Sequence, residues 1–362
     1  MSSDNLIYYD LLITNIENNN QPAIECVFNE QRSTPYLTQP ELYEMSIIRF
    51  TIDTPAIPLF RPIIKSNQPD INATVYSLTL QNNVSGLKSQ VFVEWAPQDI
   101  INAPPTPPSQ TQDGLQDNYT GYYDCTSYAW FLKLINNAFE TAATTLGIAT
   151  SPKIIFDSGS QLFILVCDDV SYNSQLPNYY EIYMNKSLYQ LFSAFPAINT
   201  SHGLTDGLNF KIITNLYDGF ASESVTFNGV TYNGLHIYSE FPTISLWNCI
   251  TSIRFTTNNL PIVPSNISNP ILSQNGVIIR SGINPDTSRI ITDLTAIDTY
   301  KPNLVYNPSA EYRQIELTGS RPLNDINIAC YYVDREAKLY PFRLSSGSSC
   351  SMKILFTKKF KS

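Results

Sequence analysis

The chain has 362 residues, 43% of them hydrophobic, enough for a sizeable core in one elaborated domain or about two. Only 15% are charged and the net charge is −9, which excludes a surface built throughout for nucleic acid, because phosphate contacts need clustered lysine and arginine. The 23 tyrosines and 18 phenylalanines, with frequent β-branched residues, suit half-buried pleated surfaces and predict a sheet-rich protein.

The first stretch, "MSSDNLIYYDLLITNI", has no basic n-region and carries Asp4 and Asp10, so it does not read as a signal peptide. No apolar run reaches the roughly 18 residues of a membrane span. Strands are predicted over 6–16, 23–30, 46–53, 73–81 and 89–96, separated by Asn, Pro and Gly breaks. In 46–53 the alternation puts Ile48, Phe50 and Ile52 on one face and Arg49, Thr51 and Asp53 on the other. The apolar stretch that follows carries Pro55, Pro58 and Pro62 and cannot continue a central ladder.

Residues 101–119 are Pro-rich, polar and without periodicity, and read as a linker. The pattern then changes. Residues 126–147 place apolar side chains at helical spacing, with Gly147 as the stop. A hairpin around "DSGS" is expected over 152–169, and a strand followed by a short helix over 178–196, ended by Pro196. Strands return over 209–216, 223–240 (a hairpin across Asn228-Gly229), 243–258, 276–282, 289–297, 310–319, 326–334 and 350–359.

Short strands joined by long Pro- and Asn-bearing loops at irregular spacing point to an all-β jelly-roll sandwich. The expected sandwich is discontinuous, from 1–100 and 205–362, with 120–204 as an inserted α+β subdomain. The alternative is a double jelly roll, since the length holds two rolls of about 180 residues.

Chemistry-bearing motifs are scarce. There are two histidines, His202 and His236, with no HExxH. The six cysteines (26, 125, 167, 249, 330, 350) form no CxxC pair and read as reduced core thiols. Neither a GxSxG elbow nor a phosphate-binding glycine loop occurs. Asp168 and Asp169 are adjacent and would point to opposite faces of a strand, a poor arrangement for a dyad. No catalytic residue, metal site or cofactor is therefore expected. The aromatic residues are spread over nearly every strand, which favours core or interface over a sugar- or base-stacking stripe. The basic end "TKKFKS", with Lys358, Lys359 and Lys361, reads as a solvated tail, with local contact to nucleic acid as the other reading.

Three stretches together, 36–64, 180–196 and 306–360, resemble jelly-roll capsid proteins of the virophage and Polinton-like double-stranded DNA viruses, of penton or minor capsid type. The resemblance implies a non-enzymatic structural protein of an icosahedral virion, assembled in host cytoplasm or nucleus. Its partners would be copies of itself (a pentamer favoured, a trimer possible) and other capsid proteins, with nucleic acid only indirectly involved. It also offers a cover for the arm at 55–64: a neighbouring subunit could bury Ile57, Leu59, Phe60 and Ile63. Otherwise the arm crosses its own sandwich. Tyr331 and Tyr332 in "IACYYVD" are candidates for the facing patch. Two competing classes remain. One is a receptor- or carbohydrate-binding β-module using the Tyr-rich stretches 116–124 and 172–183; the other is a hydrolase, which would need a histidine meeting a carboxylate and a serine.

Overall fold

The computed structural model describes residues 6–16, 23–55, 57–65, 70–98, 121–200, 207–214, 222–227, 229–266, 271–274, 277–280, 287–294, 303–306, 314–335 and 339–359. The linker at 101–119, His202 and Lys361 lie outside them. The chain divides into two compact units. One is Met1–Ile57 with Cys249–Ser362, and the other is Pro58–Asn248.

The first unit contains eight principal strands. In chain order they are Leu6–Thr14, Val27–Gln31, Tyr43–Asp53, Ile250–Thr256, Ile290–Leu294, Asn303–Tyr306, Asp325–Asp334 and Ser349–Lys358. One sheet runs first–eighth–third–sixth and the other second–seventh–fourth–fifth, with every pairing antiparallel. First pairs with eighth, second with seventh, third with sixth and fourth with fifth, so the unit is one long ribbon rolled onto itself. That is the jelly roll.

The inward rows form its core: Leu11, Phe50, Ile52, Met352, Ile354 and Phe356 from one sheet, and Ile253, Phe255, Ile326, Ile328 and Tyr332 from the other. Phe50 and Phe255, one from each sheet, meet with ring centroids 5.0 Å apart. Cys26, Cys330 and Cys350 are buried in the same core. A register shift opposite Lys353/Ile354 changes the expected face of the third strand. Ile47, rather than Ile48, joins Phe50 and Ile52 inside, because a bulge adds a residue and reverses the alternation beyond it.

The second unit has a five-stranded sheet ordered Ala197–Asn199, Phe210–Ile212, Tyr180–Met184, Ala73–Asn82, Lys88–Glu94. Its four-stranded sheet is ordered Glu223–Phe227, Val230–Tyr238, Leu162–Cys167, Lys153–Asp157. The helix Tyr128–Thr145 packs on strands of both sheets through Phe131, Leu132, Leu134, Ile135, Ala138, Phe139 and Ala142. It stops where expected. Gly147 takes φ +69, and the Ile148 amide closes back on the Ala143 carbonyl at 2.9 Å. Trp247 sits among the rings of Phe60, Phe131, Phe163 and Phe192.

These units correct the expected boundaries at 100 and 205. Strands Ala73–Asn82 and Lys88–Glu94 alternate just as sandwich strands do. Their hydrogen bonds, however, go to each other and to Tyr180–Met184, so they belong with the helix. The strand expected over 243–258 begins only at Ile250, because Ile244–Trp247 is a helical turn that buries Trp247. Among the described residues only the first unit has the jelly-roll order; in the second, hairpins of chain-adjacent strands are joined by the pairing of Ala73–Asn82 with Tyr180–Met184 and of Leu162–Cys167 with Val230–Tyr238.

Candidate assembly surface

The arm at 55–64, for which a neighbouring subunit and the chain's own sandwich are the two expected covers, is largely buried within its own chain. Ile57 is 5% exposed and packs in the jelly-roll core. Phe60 is 4% exposed, with its ring centroid 4.5 Å from that of Phe131 and 5.2 Å from that of Trp247. The main chain is held too: the Leu59 and Phe60 amides donate to the Cys125 carbonyl at 2.8 and 3.1 Å, and the Cys125 amide donates back to Phe60 at 3.0 Å. Arg61 pairs with Asp124 at 2.8 Å. Leu59 is half-buried against the same core, and only Ile63 stands out, at 60% exposure. The prolines end one sheet and carry the chain into the next core, so no neighbour is needed to cover Ile57 or Phe60.

Tyr332 is likewise buried, its ring stacked on Tyr340 at 5.1 Å; Tyr331 is half-buried. Lys358 is exposed, whereas Lys359 pairs with Glu316 at 3.9 Å and its amide donates to the Leu42 carbonyl. Of the Tyr-rich stretches, 116–120 lies outside the described residues. Tyr122, Tyr123 and Tyr172 are not on open binding loops: they are buried, with hydroxyls bonded to Asn72, Ile71 and Thr150.

A different element presents apolar surface. Leu6–Thr14 is an edge strand, paired along its full length with Ser349–Lys358 and with no second neighbour among the described residues. Its inward row, Ile7, Tyr9, Leu11 and Ile13, packs against the core. Its outward row stays in solvent: Leu6, Tyr8 and Leu12 are 46%, 54% and 70% exposed, and Ile16 just beyond is 75% exposed. Asp10, midway along that row, meets Arg49 at 3.7 Å and Lys353 at 3.5 Å. Beside the strand, Tyr9 donates to Glu30 and accepts from Arg32, whose guanidinium lies 4.8 Å from the ring centroids of both Tyr9 and Tyr36. Burial, reinforced by Glu30 and Tyr36, pushes the Tyr9 hydroxyl pKa well up, so it stays protonated and donating. The signal was present in "LIYYDLLITNI", a strand apolar on both faces. A strand that buries one face needs only one apolar row.

Among the described residues no catalytic arrangement accompanies this surface. His236 is buried in Val230–Tyr238, with Nδ1 3.0 Å from the Gly234 carbonyl and 3.8 Å from Glu223, and no serine bonds to it among the described residues. Asp168 accepts from the Ser171 amide and hydroxyl as a helix cap, which is its structural use. Five of the six cysteines are buried and all are free thiols. Among the described residues no group of acidic, His and Cys side chains has metal-binding geometry, and no helix is long and apolar enough to cross a membrane.

The family described as Sputnik minor capsid protein V18/19 matches residues 7–358, nearly the whole chain. The chain belongs to this family. It is a structural protein of the virion capsid, with the jelly-roll fold that the strand order shows. The structural protein V19 of Sputnik virophage is 23% identical over 205 residues, covering 56% of this chain and 93% of the relative. Protein V18 of the same virophage is 34% identical over 137 residues, covering 38% of this chain and 81% of the relative. A chain of the cryo-EM structure of the Sputnik virophage superposes with a TM-score of 0.79 at 27% identity, covering 98% of each chain. The crystal structure of the mavirus penton protein gives 0.65 at 14% identity, covering 98% of this chain and 99% of that one, a likeness of fold.

Proposed function

We propose that this capsid protein forms a closed ring of identical copies, a pentamer ahead of a trimer, in which the outward row and free edge of Leu6–Thr14 meet a different patch on the next copy. The carrying observation is the exposure of Leu6, Tyr8 and Leu12 on a strand whose other face is already in the core, and of Ile16 just beyond it. A closed ring uses such heterologous contacts. Burying each large apolar side chain contributes about 1.5–3 kcal/mol before the entropy of association is subtracted. The preference for five copies rests on the fold shared with a protein solved as a penton. Ile63 and Tyr331 are the remaining candidates for the facing patch.

The role is structural rather than catalytic. Other capsid proteins are its further partners, and nucleic acid is involved only indirectly, through exposed basic groups such as Lys358. Assembly takes place in host cytoplasm or nucleus. Native mass spectrometry of the purified chain tests the ring, with Leu12→Asp and Tyr8→Asp as variants. Five copies in the native protein and monomers in the variants, with unchanged circular dichroism, is the expected result. A native monomer at every concentration, or variants that still form rings, would overturn it.

A further inference from the structure

The second unit holds an open cleft of about 600 Å³ between the helix Tyr128–Thr145 and the edge strand Lys153–Asp157, with Val230 and Tyr232 at one side. We propose that this cleft binds an acidic saccharide.

The helix supplies one wall as a single stripe of Ala129, Leu132, Lys133, Asn136, Asn137 and Glu140. At 1.5 Å per residue that stripe is about 16 Å long. Leu132 and Ile154 make a buried apolar floor, and the half-exposed Tyr232 adds an aromatic edge. Saccharides use such a combination, with apolar surface under the ring carbons and donors and acceptors around the hydroxyls.

The strand wall contributes main-chain groups. The Phe163 amide and carbonyl are both engaged by Ser239, on the far side of its strand from Phe156. Phe156 and Phe163 are therefore a non-hydrogen-bonded pair, and the Phe156 N–H and C=O point away from the sheet. They have no partner among the described residues. One donor and one acceptor, side by side, match two neighbouring hydroxyls.

Two further features select the ligand. Asn136 already occupies the strand edge at Ile154, through an amide donation of 3.0 Å and an acceptance of 2.8 Å. An extended peptide therefore cannot add as a continuous strand. Lys133 and Lys153 are exposed and form no ion pair among the described residues, and they outnumber the one carboxylate, Glu140. In a chain of net charge −9 this is a locally positive cleft, suited to a sugar carboxylate.

The proposal is independent of ring formation. Titration of the full-length protein with N-acetylneuraminic acid, glucuronic acid and glucose, followed by NMR or calorimetry, tests it. Either acid should bind about tenfold or more tightly than glucose, and Lys133→Ala with Lys153→Ala should weaken acid binding by about tenfold or more. Both lysines are exposed, so the double variant should keep the native circular dichroism. Equal binding of acid and glucose, no binding of either acid by folded protein, or an unaffected double variant would each overturn it. Capture of oligoglutamate but neither sugar acid would overturn it in favour of a peptide.

Discussion

The side-chain amide of Asn136 closes on the main chain of Ile154, donating to its carbonyl at 3.0 Å and accepting from its amide at 2.8 Å. Ile154 lies on an edge strand and is 1% exposed, so water cannot replace either bond. A helix side chain thus does for one residue what a neighbouring strand would do, and it blocks that edge against pairing with another chain. Asn136→Ala leaves a buried donor and acceptor unmade, at about 1–3 kcal/mol for each group. The expected outcome is a lower urea midpoint and more aggregation on heating. Asn136→Asp keeps the acceptor and loses the donor, and should fall between the two.

Gly234 makes a second prediction. Its φ is +132, and a Cβ there would lie 2.3 Å from the Cys167 carbonyl oxygen on the paired strand. That contact is with backbone, which cannot rotate away. Gly234→Ala should destabilise the protein by about 2 kcal/mol or more, read as a shifted denaturation midpoint. Gly229 is the control at φ +79, because a Cβ there meets nothing within 4 Å and only the backbone strain remains.

Phe60 tests where the proline-bearing arm belongs. Removing a fully packed phenylalanine costs about 3–5 kcal/mol. Phe60→Ala should therefore unfold the second unit at lower temperature and alter the near-ultraviolet dichroism of Trp247, whose ring centroid lies 5.2 Å away. Ile63→Asp, at a residue 60% exposed, should keep the stability within about 0.5 kcal/mol of native and leave the dichroism unchanged. Loss of assembly by Phe60→Asp with an intact fold would return the arm to a subunit contact.

The sequence carried the jelly-roll class and the helix at 126–147 because both are periodic signals. It could not say which sheet a given strand joins. Ala73–Asn82 and Ile250–Thr256 alternate alike, yet they belong to different units, since the choice depends on partners far away in the chain. What covers the arm stays open in the sequence for a related reason. An apolar run next to prolines reports that something must cover it, and Phe131 and Trp247 do so from distant positions. The apolar outward row of Leu6–Thr14 was readable, but its exposure follows only once that strand is known to lie at an edge.

The pair Glu181 and Lys211 gives the stability a pH dependence. Lys211 sits opposite Tyr183, so Glu181 is its diagonal neighbour on the same face, and the Lys211 ammonium donates to the Glu181 carboxylate. Tyr183 also donates to Glu181, at 2.7 Å. Burial alone would raise the carboxyl's pKa, but the bonds from Lys211 and Tyr183 outweigh it and hold the value below the ordinary one. Burial would likewise lower the Lys211 value, and the Glu181 carboxylate reverses that, holding it above the ordinary one. A lowered carboxyl stabilises the fold above its unfolded value, about 4.3, and the contribution is lost as pH falls through the folded value. A raised ammonium stabilises below its unfolded value, about 10.4, and is lost as pH rises through the folded one. Glu181→Gln should therefore be less stable than the native protein near neutral pH, and the gap should close as the native carboxyl protonates below about pH 4. Urea denaturation of both proteins across that range measures the gap. A gap that stays constant with pH would mean that the pair holds the strands by packing rather than by charge.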